Sequence, residues 1–255
     1  MKRLSLLIAA ALFYGLLPRA GAAGFSGPGP DAAAIPLPVP QAVNSRRLIC
    51  VDPGHPNSFN SGLEPVNGTT ETRINWQVAL KLESILKEKG FEVLLTRSEE
   101  LQPVENKDRA LMANSAGAAL CVHLHCESSP GSGFALYYPD RQGIFEYKDD
   151  PDNGFKGPSA RVIEESLILA LAVQKGMQEK LAGSLADLGV KGDSVTQVGS
   201  NQGALTFSIF SKIPTLTIEM AVLTDKHDAA FIKSDEGQEK MAQAIAAGIA
   251  LYQTP

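Results

Sequence analysis

The sequence has no concentration of positive charge. Its 255 residues include 23 Lys and Arg against 28 Asp and Glu, for a formal net charge of −5, and no basic block or stripe stands anywhere in the chain. Proteins that bind nucleic acid hold its phosphate backbone with clustered Lys and Arg side chains. The composition therefore argues against nucleic acid as a partner.

Several common catalytic signatures are also missing. The chain has no P-loop, no G-x-G-x-x-G, no G-x-S-x-G nucleophile elbow and no H-E-x-x-H zinc motif, and it shows no internal repeat. Each of these motifs places its functional groups close together in the sequence. Any catalytic site in this chain must therefore be assembled from residues that lie far apart along it.

Cysteine is scarce, with Cys50, Cys121 and Cys126 only. An odd number leaves at least one thiol free unless another chain pairs with it. Cys50 and Cys121 stand in apolar, strand-like runs, so they are either buried small side chains or, if their strands are neighbours, a disulfide pair. Cys126 follows His125, but neighbours on a strand point to opposite faces, which disfavours a thiol and base pair.

Only the N-terminus carries an extended apolar run, and that run is short. Lys2 and Arg3 precede apolar residues 4–17, and small residues follow at 20–22. A membrane-spanning helix needs ~20 apolar residues, whereas a basic start, a shorter apolar stretch and an A-x-A-like site are typical of a cleaved signal peptide. We predict a signal peptide at 1–22 and export to the periplasm or beyond, with no membrane span after cleavage.

The rest of the chain divides into a leader and one domain. Residues 23–45 are rich in Pro, Ala and Gly and have no helical or strand period, which is typical of a flexible leader. From residue 46 to 255, apolar strand-like runs alternate with helical segments. The predicted strands are "RLICVD", "FEVLLTR", "ALCVHLH", "GFALYYP", "ALTFSIF" and "PTLTIEM". This alternation predicts a single three-layer α/β domain, with a mostly parallel sheet flanked by helices on both faces.

Titratable residues collect where the predicted strands end. His55, His125, Glu127 and Glu219 all fall near the carboxyl edge, where functional groups gather in such sheets. Two His and one Glu form a known catalytic zinc set. An isolated carboxylate within the apolar "IPTLTIEMAVL" has little reason to be buried unless it is paired, metal-bound or catalytic.

Structural roles compete with these functional ones. His55 could be an ordinary loop residue, and His123 or His125 a buried, hydrogen-bonded imidazole. On the residues alone, Glu71 is better explained as a first-turn carboxylate favoured by the helix dipole. His227 stands in the polar run "TDKHD" and is expected to be solvated.

Five segments together resemble one family. "LICVDPGH" resembles the opening strand and zinc-histidine loop of the zinc-dependent N-acetylmuramoyl-L-alanine amidases of the amidase-3 type. "TTETRINWQVALKLESILKEKGFEVLLTR" is similar to their segment in which a Glu ligand opens a helix, and "DRALMANSAGAALCVHLHCES" to the stretch with their second zinc histidine. "IPTLTIEM" resembles the strand with their catalytic Glu, and "FIKSDEGQEKMAQAIAAGIALY" their closing helix. The similarity covers roughly residues 47–252.

The resemblance implies a set of roles for residues of this chain. It implies that His55, Glu71 and His125 hold Zn²⁺, which reverses the capping interpretation of Glu71, and that Glu219 is the general base for a metal-activated water. His123 stands where the family usually has serine and, with Glu127, is a candidate to support the ligands from behind. We expect His125→Ala to abolish zinc binding and His123→Ser largely to keep it.

The reaction implied is hydrolysis of the amide bond between N-acetylmuramic acid and L-alanine in peptidoglycan. Two alternatives stay open: a zinc peptidase acting on another peptidoglycan amide, and a catalytically inactive wall-binding relative. The expected state is a monomer, with peptidoglycan as substrate and a protein activator as a candidate partner. Pro56 after His55 and the polar residues 140–165 depart from the family pattern. We predict that 140–165 is an inserted surface loop, acting as a lid or a partner contact.

Overall fold

The computed structural model describes residues 48–253, so the predicted signal peptide and the whole of the predicted leader lie outside the described residues. The strands are Leu48–Pro53 (β1), Glu92–Leu95 (β2), Leu120–Glu127 (β3), Phe134–Tyr138 (β4), Gly143–Ile144 (β5), Lys156–Gly157 (β6), Asp187–Gly192 (β7) and Thr215–Val222 (β8). The helices are Glu71–Glu88 (α1), Asn106–Ala116 (α2), Ala160–Leu181 (α3), Gln197–Gln202 (α4), Thr206–Phe210 (α5), Lys226–Lys233 (α6) and Asp235–Gln253 (α7). None of the described helices is long and apolar enough to cross a membrane.

Six strands form one sheet in the order β2-β1-β3-β8-β4-β7. All neighbouring pairs are parallel except β4 and β8, which run antiparallel. The short strands β5 and β6 form a separate antiparallel pair. The predicted mostly parallel α/β sheet is confirmed.

Helices cover both faces of the sheet. On one face, α1, α3 and α7 pack on alternate strand residues such as Val51 and Val122. On the other face, α2 and α5 pack over Cys50 and Cys121. This is the three-layer arrangement that the alternating sequence predicts, because each sheet face must bury its apolar side chains against another element.

The central strand β3 shows the period of two directly. Leu120, Val122, Leu124 and Cys126 belong to the larger core, on the face covered by α1, α3 and α7. The residues between them, His123 and His125 among them, point to the opposite face. Cys126 is therefore separated from the His125 ring, as the sequence predicts.

The sequence left open whether Cys50 and Cys121 are buried free thiols or a disulfide pair, and the described chain distinguishes the two. Cys50 and Cys121 are register partners on β1 and β3, so their strands are neighbours. All three cysteines are nevertheless free and buried. Burial raises the pKa of the Cys121 and Cys126 thiols well above the usual range, which makes them unreactive.

The segment "ALTFSIF" is a helix, α5, and its prediction as a strand is wrong. The alternation of apolar and polar residues suggested a strand, yet Phe207, Ser208, Ile209 and Phe210 are all buried in succession. The Asp193 carboxylate accepts a hydrogen bond from the Leu205 backbone N–H at 3.1 Å, just before the first turn. Packing and this hydrogen bond override the local pattern.

Several elements were not predicted from the sequence, namely β5, β6, β7, α4 and α6, and the segment at 140–165 is only partly a loop. Strand β7 is short of apolar residues because it lies at the sheet edge, and α6 begins in the polar run after β8. Within 140–165, turns and the β5–β6 pair precede α3. Lys107 of α2 contacts Asp150 at 2.7 Å and also Asp152, which ties the turns to the domain.

Candidate metal centre

Three side chains from separate segments meet at the carboxyl edge of β1 and β3. His55 follows β1, Glu71 is the first residue of α1, and His125 lies near the end of β3. One nitrogen or oxygen atom from each lies within 4.8 Å of the corresponding atoms of the others. The three residues singled out by the sequence therefore form a compact group that could hold a metal ion.

His55 is held by its own loop. Its backbone lies in the left-handed region, with φ at 58°, which is uncommon for a residue with a side chain. Its Nδ1 lies 3.1 Å from the Asn60 carbonyl oxygen, which can only accept a hydrogen bond, so Nδ1 carries the hydrogen. The other nitrogen, Nε2, lies 3.3 Å from a Glu71 carboxylate oxygen, which accepts a hydrogen bond from it when the ring is protonated.

Glu71 joins the two histidines. Its Oε1 lies 2.7 Å from Nδ1 of His125 and accepts a hydrogen bond from the Cys126 N–H at 3.2 Å, while Oε2 faces His55. The neighbouring Thr70 supplies the N-cap of α1, so the Glu71 carboxylate is not required for capping. Burial would raise the pKa of Glu71, but the His55 and His125 rings hold it well below its usual range.

The histidine pKa values shift in opposite directions. Burial lowers the pKa of His125 to about 4, with the His123 ring adding to the effect and Glu71 opposing it. Burial also acts to lower the pKa of His55, but the charge and hydrogen bond of Glu71 outweigh it and raise the value. The Glu71 carboxylate raises the pKa of both rings, but it outweighs burial only at His55.

The His125 ring fits tightly against the turn after β1. A Cβ added to Gly54 would overlap the imidazole. The Gly54 N–H donates to the Leu124 carbonyl at 2.8 Å, which holds this turn against β3. A glycine is therefore required here because the backbone and the His125 imidazole approach closely.

Glu219 lies beside the group on the next strand. It is the register partner of His125, on β8, and it lines the same cleft. Its Oε2 is buried and has no hydrogen-bond partner within residues 48–253. Burial, reinforced by the charges of Glu71 and Glu127, raises the pKa of Glu219 well above its usual range.

The other predicted residues lie at different distances from the group. His123 lies deeper on the same strand face, with its Nε2 2.7 Å from Nε2 of His125. The Glu127 carboxylate lines the cleft and accepts a hydrogen bond from the Ser128 N–H at 2.9 Å. His227 is elsewhere, in the first turn of α6, with 68 % of its side chain exposed, as its polar context predicts.

Sequence reasoning missed a buried ion pair beneath the site. Asp52 and Arg109 are both fully buried, and Nη1 of Arg109 donates to the Asp52 carboxylate at 2.7 Å. An aspartate ending the apolar run "LICVD" was a readable signal, by the same reasoning that singled out Glu219. Arg109 gave no such signal, because it stands in a helix with many polar residues.

A cleft of about 880 Å³ opens over the group. One wall is aromatic, and there the Phe59 and Tyr147 rings lie 5.4 Å apart. Tyr147 and Asp150 belong to the predicted insertion, so that segment borders the cleft. His55, His125 and Glu219 all line this cleft.

Comparison with known proteins points in one direction. The sequence profile of the N-acetylmuramoyl-L-alanine amidase family matches residues 49–251. A sporulation-specific N-acetylmuramoyl-L-alanine amidase of Bacillus subtilis is 32 % identical over 143 residues, which cover 50 % of this chain and 55 % of that protein. An N-acetylmuramoyl-L-alanine amidase of Mycobacterium tuberculosis is 27 % identical over 203 residues, covering 77 % of this chain and 74 % of the other. The chain thus spans only about half the length of the first of these relatives.

Solved structures share the fold. The apo form of Ami1 from Mycobacterium abscessus aligns with a TM-score of 0.64 and 22 % identity, over 82 % of this chain and 99 % of that one. The catalytic domain of CwlV from Bacillus (Paenibacillus) polymyxa aligns with a TM-score of 0.61 and 26 % identity, over 80 % and 97 %. Both alignments extend over nearly the whole of the compared domain.

Proposed function

This chain belongs to the N-acetylmuramoyl-L-alanine amidase family, and from that premise we propose that it hydrolyses the amide bond between N-acetylmuramic acid and L-alanine in peptidoglycan. One observation carries the proposal: His55, Glu71 and His125 are grouped beside Glu219, which lines the cleft and whose buried Oε2 has no hydrogen-bond partner among the described residues. An amide bond of a substrate placed in the cleft would lie beside both the candidate metal site and the candidate base. We therefore assign the cleft as the substrate site.

Zinc is the metal that the grouped residues fit. Two imidazole nitrogens and one carboxylate oxygen face one another, which is a donor set of catalytic zinc sites that keep a fourth position open. The outer nitrogen of His55 is held by a backbone carbonyl, as is usual for zinc-binding histidines. Bound zinc supplies Lewis-acid polarisation of the scissile carbonyl and lowers the pKa of water toward ~7.

Glu219 is our candidate for the general base. Its buried Oε2, which has no hydrogen-bond partner in the part of the chain that the structure describes, is placed to accept a proton, and the raised pKa of Glu219 makes it a stronger base than an ordinary glutamate. In the proposed reaction Glu219 accepts a proton from the attacking water. It returns that proton to the L-alanine nitrogen as the carbon–nitrogen bond breaks.

Location and partners follow from the substrate. Because peptidoglycan lies outside the cytoplasmic membrane, we propose that residues 1–22 direct export and are then removed. The cleft wall contributed by the insertion, with Tyr147 and Asp150, is proposed to contact either the glycan–peptide or an activator protein. Deletion of residues 146–158 tests this role, and unchanged activity and partner response would contradict it.

Bond identification tests the proposed function. The purified protein is loaded with zinc and incubated with purified peptidoglycan, with and without a chelator, and the products are identified by mass spectrometry. The expected products are glycan strands with a free lactyl carboxyl group and stem peptides with a free L-alanine amine. Cleavage within the stem peptide would identify a peptidase instead, and binding without cleavage would identify an inactive wall-binding protein.

A further inference from the structure

His123 is a second buried imidazole directly beneath the metal centre. Only 3 % of the residue is exposed, and its ring stacks on Phe207, with centroids 4.9 Å apart and an interplanar angle of 10°. Its Nε2 lies 2.7 Å from Nε2 of His125, and its Nδ1 is hydrogen bonded to Asp52. Each nitrogen of the ring therefore has one specific partner.

Asp52 is fixed as an acceptor. Its carboxylate receives hydrogen bonds from Arg109, at 2.7 Å, and from the Thr96 hydroxyl, and it is fully buried. Burial would raise the pKa of Asp52, but Arg109 and His123 hold it well below the usual range. A carboxylate can only accept, so Nδ1 of His123 carries the hydrogen on that side.

The direction of the remaining hydrogen bond follows from the ligand geometry. Without a metal ion, Nδ1 of His125 donates to the Glu71 carboxylate at 2.7 Å; when Nδ1 binds a metal ion it must instead offer a lone pair. Nε2 of His125 then carries the ring hydrogen. Nε2 of His123 is the acceptor within reach, because Asp52 already takes the hydrogen on the other side of that ring.

We propose that His123 is a positioning residue, which holds the His125 ring with Nδ1 toward the metal through a hydrogen-bonded chain from His125 through His123 to Asp52. This inference rests on the proposed metal site. The His55 ring is held in a similar way, because its Nδ1, the nitrogen that does not face Glu71, donates to the Asn60 carbonyl. Partners of this kind fix the tautomer and the ring orientation of metal-binding histidines.

Two variants separate positioning from packing. His123→Phe keeps an aromatic ring against Phe207 but removes both nitrogens. His123→Gln restores a carbonyl acceptor near the place of Nε2. The readouts are zinc affinity, by competition with a chromogenic chelator, and the visible absorption of the cobalt-loaded protein, which reports ligand geometry. The thermal midpoints of the metal-free proteins serve as the control for folding.

His123→Phe is expected to weaken zinc binding by roughly 10- to 100-fold and to change the cobalt spectrum, and His123→Gln to recover most of the affinity. Wild-type affinity and an unchanged spectrum in His123→Phe would overturn the inference while leaving the metal site intact. Failure of the wild-type protein to bind zinc would instead overturn the proposed function as well.

A measurement on the wild-type protein covers the case in which His123→Phe does not fold. Long-range ¹H–¹⁵N NMR of the zinc-loaded protein distinguishes the two nitrogens of each ring. We expect hydrogen on Nε2 of His125 and on Nδ1 of His123. Hydrogen on Nε2 of His123 in the zinc-loaded protein would contradict the proposed chain.

Discussion

At the scale of single residues, the two carboxylates of the site have different surroundings, which is why we propose different roles for them. Glu71 lies between two imidazoles and is held as an anion, whereas Glu219 has a raised pKa and a buried oxygen without a hydrogen-bond partner in residues 48–253. Environments that push two carboxyl pKa values apart are typical of a binding group beside an acid–base group. Substitution of Glu71 should therefore lower the affinity for the metal ion, whereas substitution of Glu219 should lower the rate of hydrolysis.

Glu219→Gln tests the base. The amide keeps the size of the side chain but cannot take a proton from water, so we expect the rate of peptidoglycan hydrolysis to fall by about 10²- to 10⁴-fold. Zinc content should stay at the wild-type level, since Glu219 is not one of the three grouped residues. Glu164→Gln, on the exposed side of α3, is the matched control and should keep full activity. Full hydrolysis by Glu219→Gln would refute the assigned base.

His125→Ala and His227→Ala form a second matched pair. His125 is grouped with His55 and Glu71, whereas 68 % of the His227 side chain is exposed on α6. Removing one ligand of three should lower zinc affinity enough to leave the isolated protein without metal. His227→Ala should retain its zinc, as measured by atomic absorption after gel filtration. Equal zinc content in the two variants would show that the metal is bound elsewhere.

Only some residues of the candidate site could be predicted from the sequence alone. His55, His125 and Glu219 stand at strand ends, where a parallel sheet collects functional groups, so their position along the chain singles them out. Glu71 opens a helix, where any glutamate is favoured, and the resemblance to a family was needed to select it. The role of His123 depends on contacts with Asp52 and His125, which the period of two along β3 does not reveal.

At the scale of elements, Arg109 joins α2 to the end of β1. Besides Asp52, its guanidinium donates to the carbonyl oxygens of Pro53 at 2.7 Å, and of Pro56 and Val104 at 3.0 Å. The Pro53 and Pro56 carbonyls flank Gly54 and His55, so one side chain fixes the course of the loop that carries His55. No local pattern predicts this connection, because it links segments 50 residues and more apart in the chain.

Arg109→Met should destabilise the fold by roughly 3–5 kcal/mol, because it leaves the Asp52 carboxylate buried without its charge partner. The matched control is Arg161→Met on α3, whose pair with Glu165 at 2.8 Å is exposed, with 66 % of the arginine side chain accessible. An exposed pair of this kind contributes about 0.3–0.5 kcal/mol. Urea unfolding of the metal-free proteins measures both changes. Similar losses in the two variants would contradict the special role of Arg109.

At the scale of the whole molecule, the alternation of strands and helices was sufficient to predict the layers but not the strand order. A parallel sheet with helices on both faces follows from burying each apolar face. The antiparallel placement of β4 between β8 and β7 has no local signature, and β7 itself carries few apolar residues. Strand order depends on pairing between segments that lie far apart in the sequence, and local patterns do not encode that pairing.

Asp193 couples stability of the whole molecule to pH. Its carboxyl group is fully buried; one oxygen accepts from the Leu205 N–H, and the other has no hydrogen-bond partner within the described residues. Burial raises the pKa of Asp193 to about 7, with the charge of Asp140 adding to the effect, against 3.8 for an ordinary aspartate. The folded protein therefore binds this proton more tightly than the unfolded chain does.

The raised pKa of Asp193 makes the folded protein less stable as pH rises. The contribution of Asp193 to the free energy of unfolding is fully present below pH 3.8 and is lost as pH rises to about 7, because over this range the unfolded chain releases the proton while the folded protein retains it. At ~1.4 kcal/mol per pKa unit, the change is about 4 kcal/mol. Asp193→Asn cannot titrate and should remove this slope. Urea unfolding of the metal-free proteins at pH 4.5 and pH 8 measures this. The free energy of unfolding of the variant should increase relative to that of the wild type as pH rises. A wild-type-to-variant difference that stays constant with pH would show that Asp193 is ionised throughout this range in the folded protein.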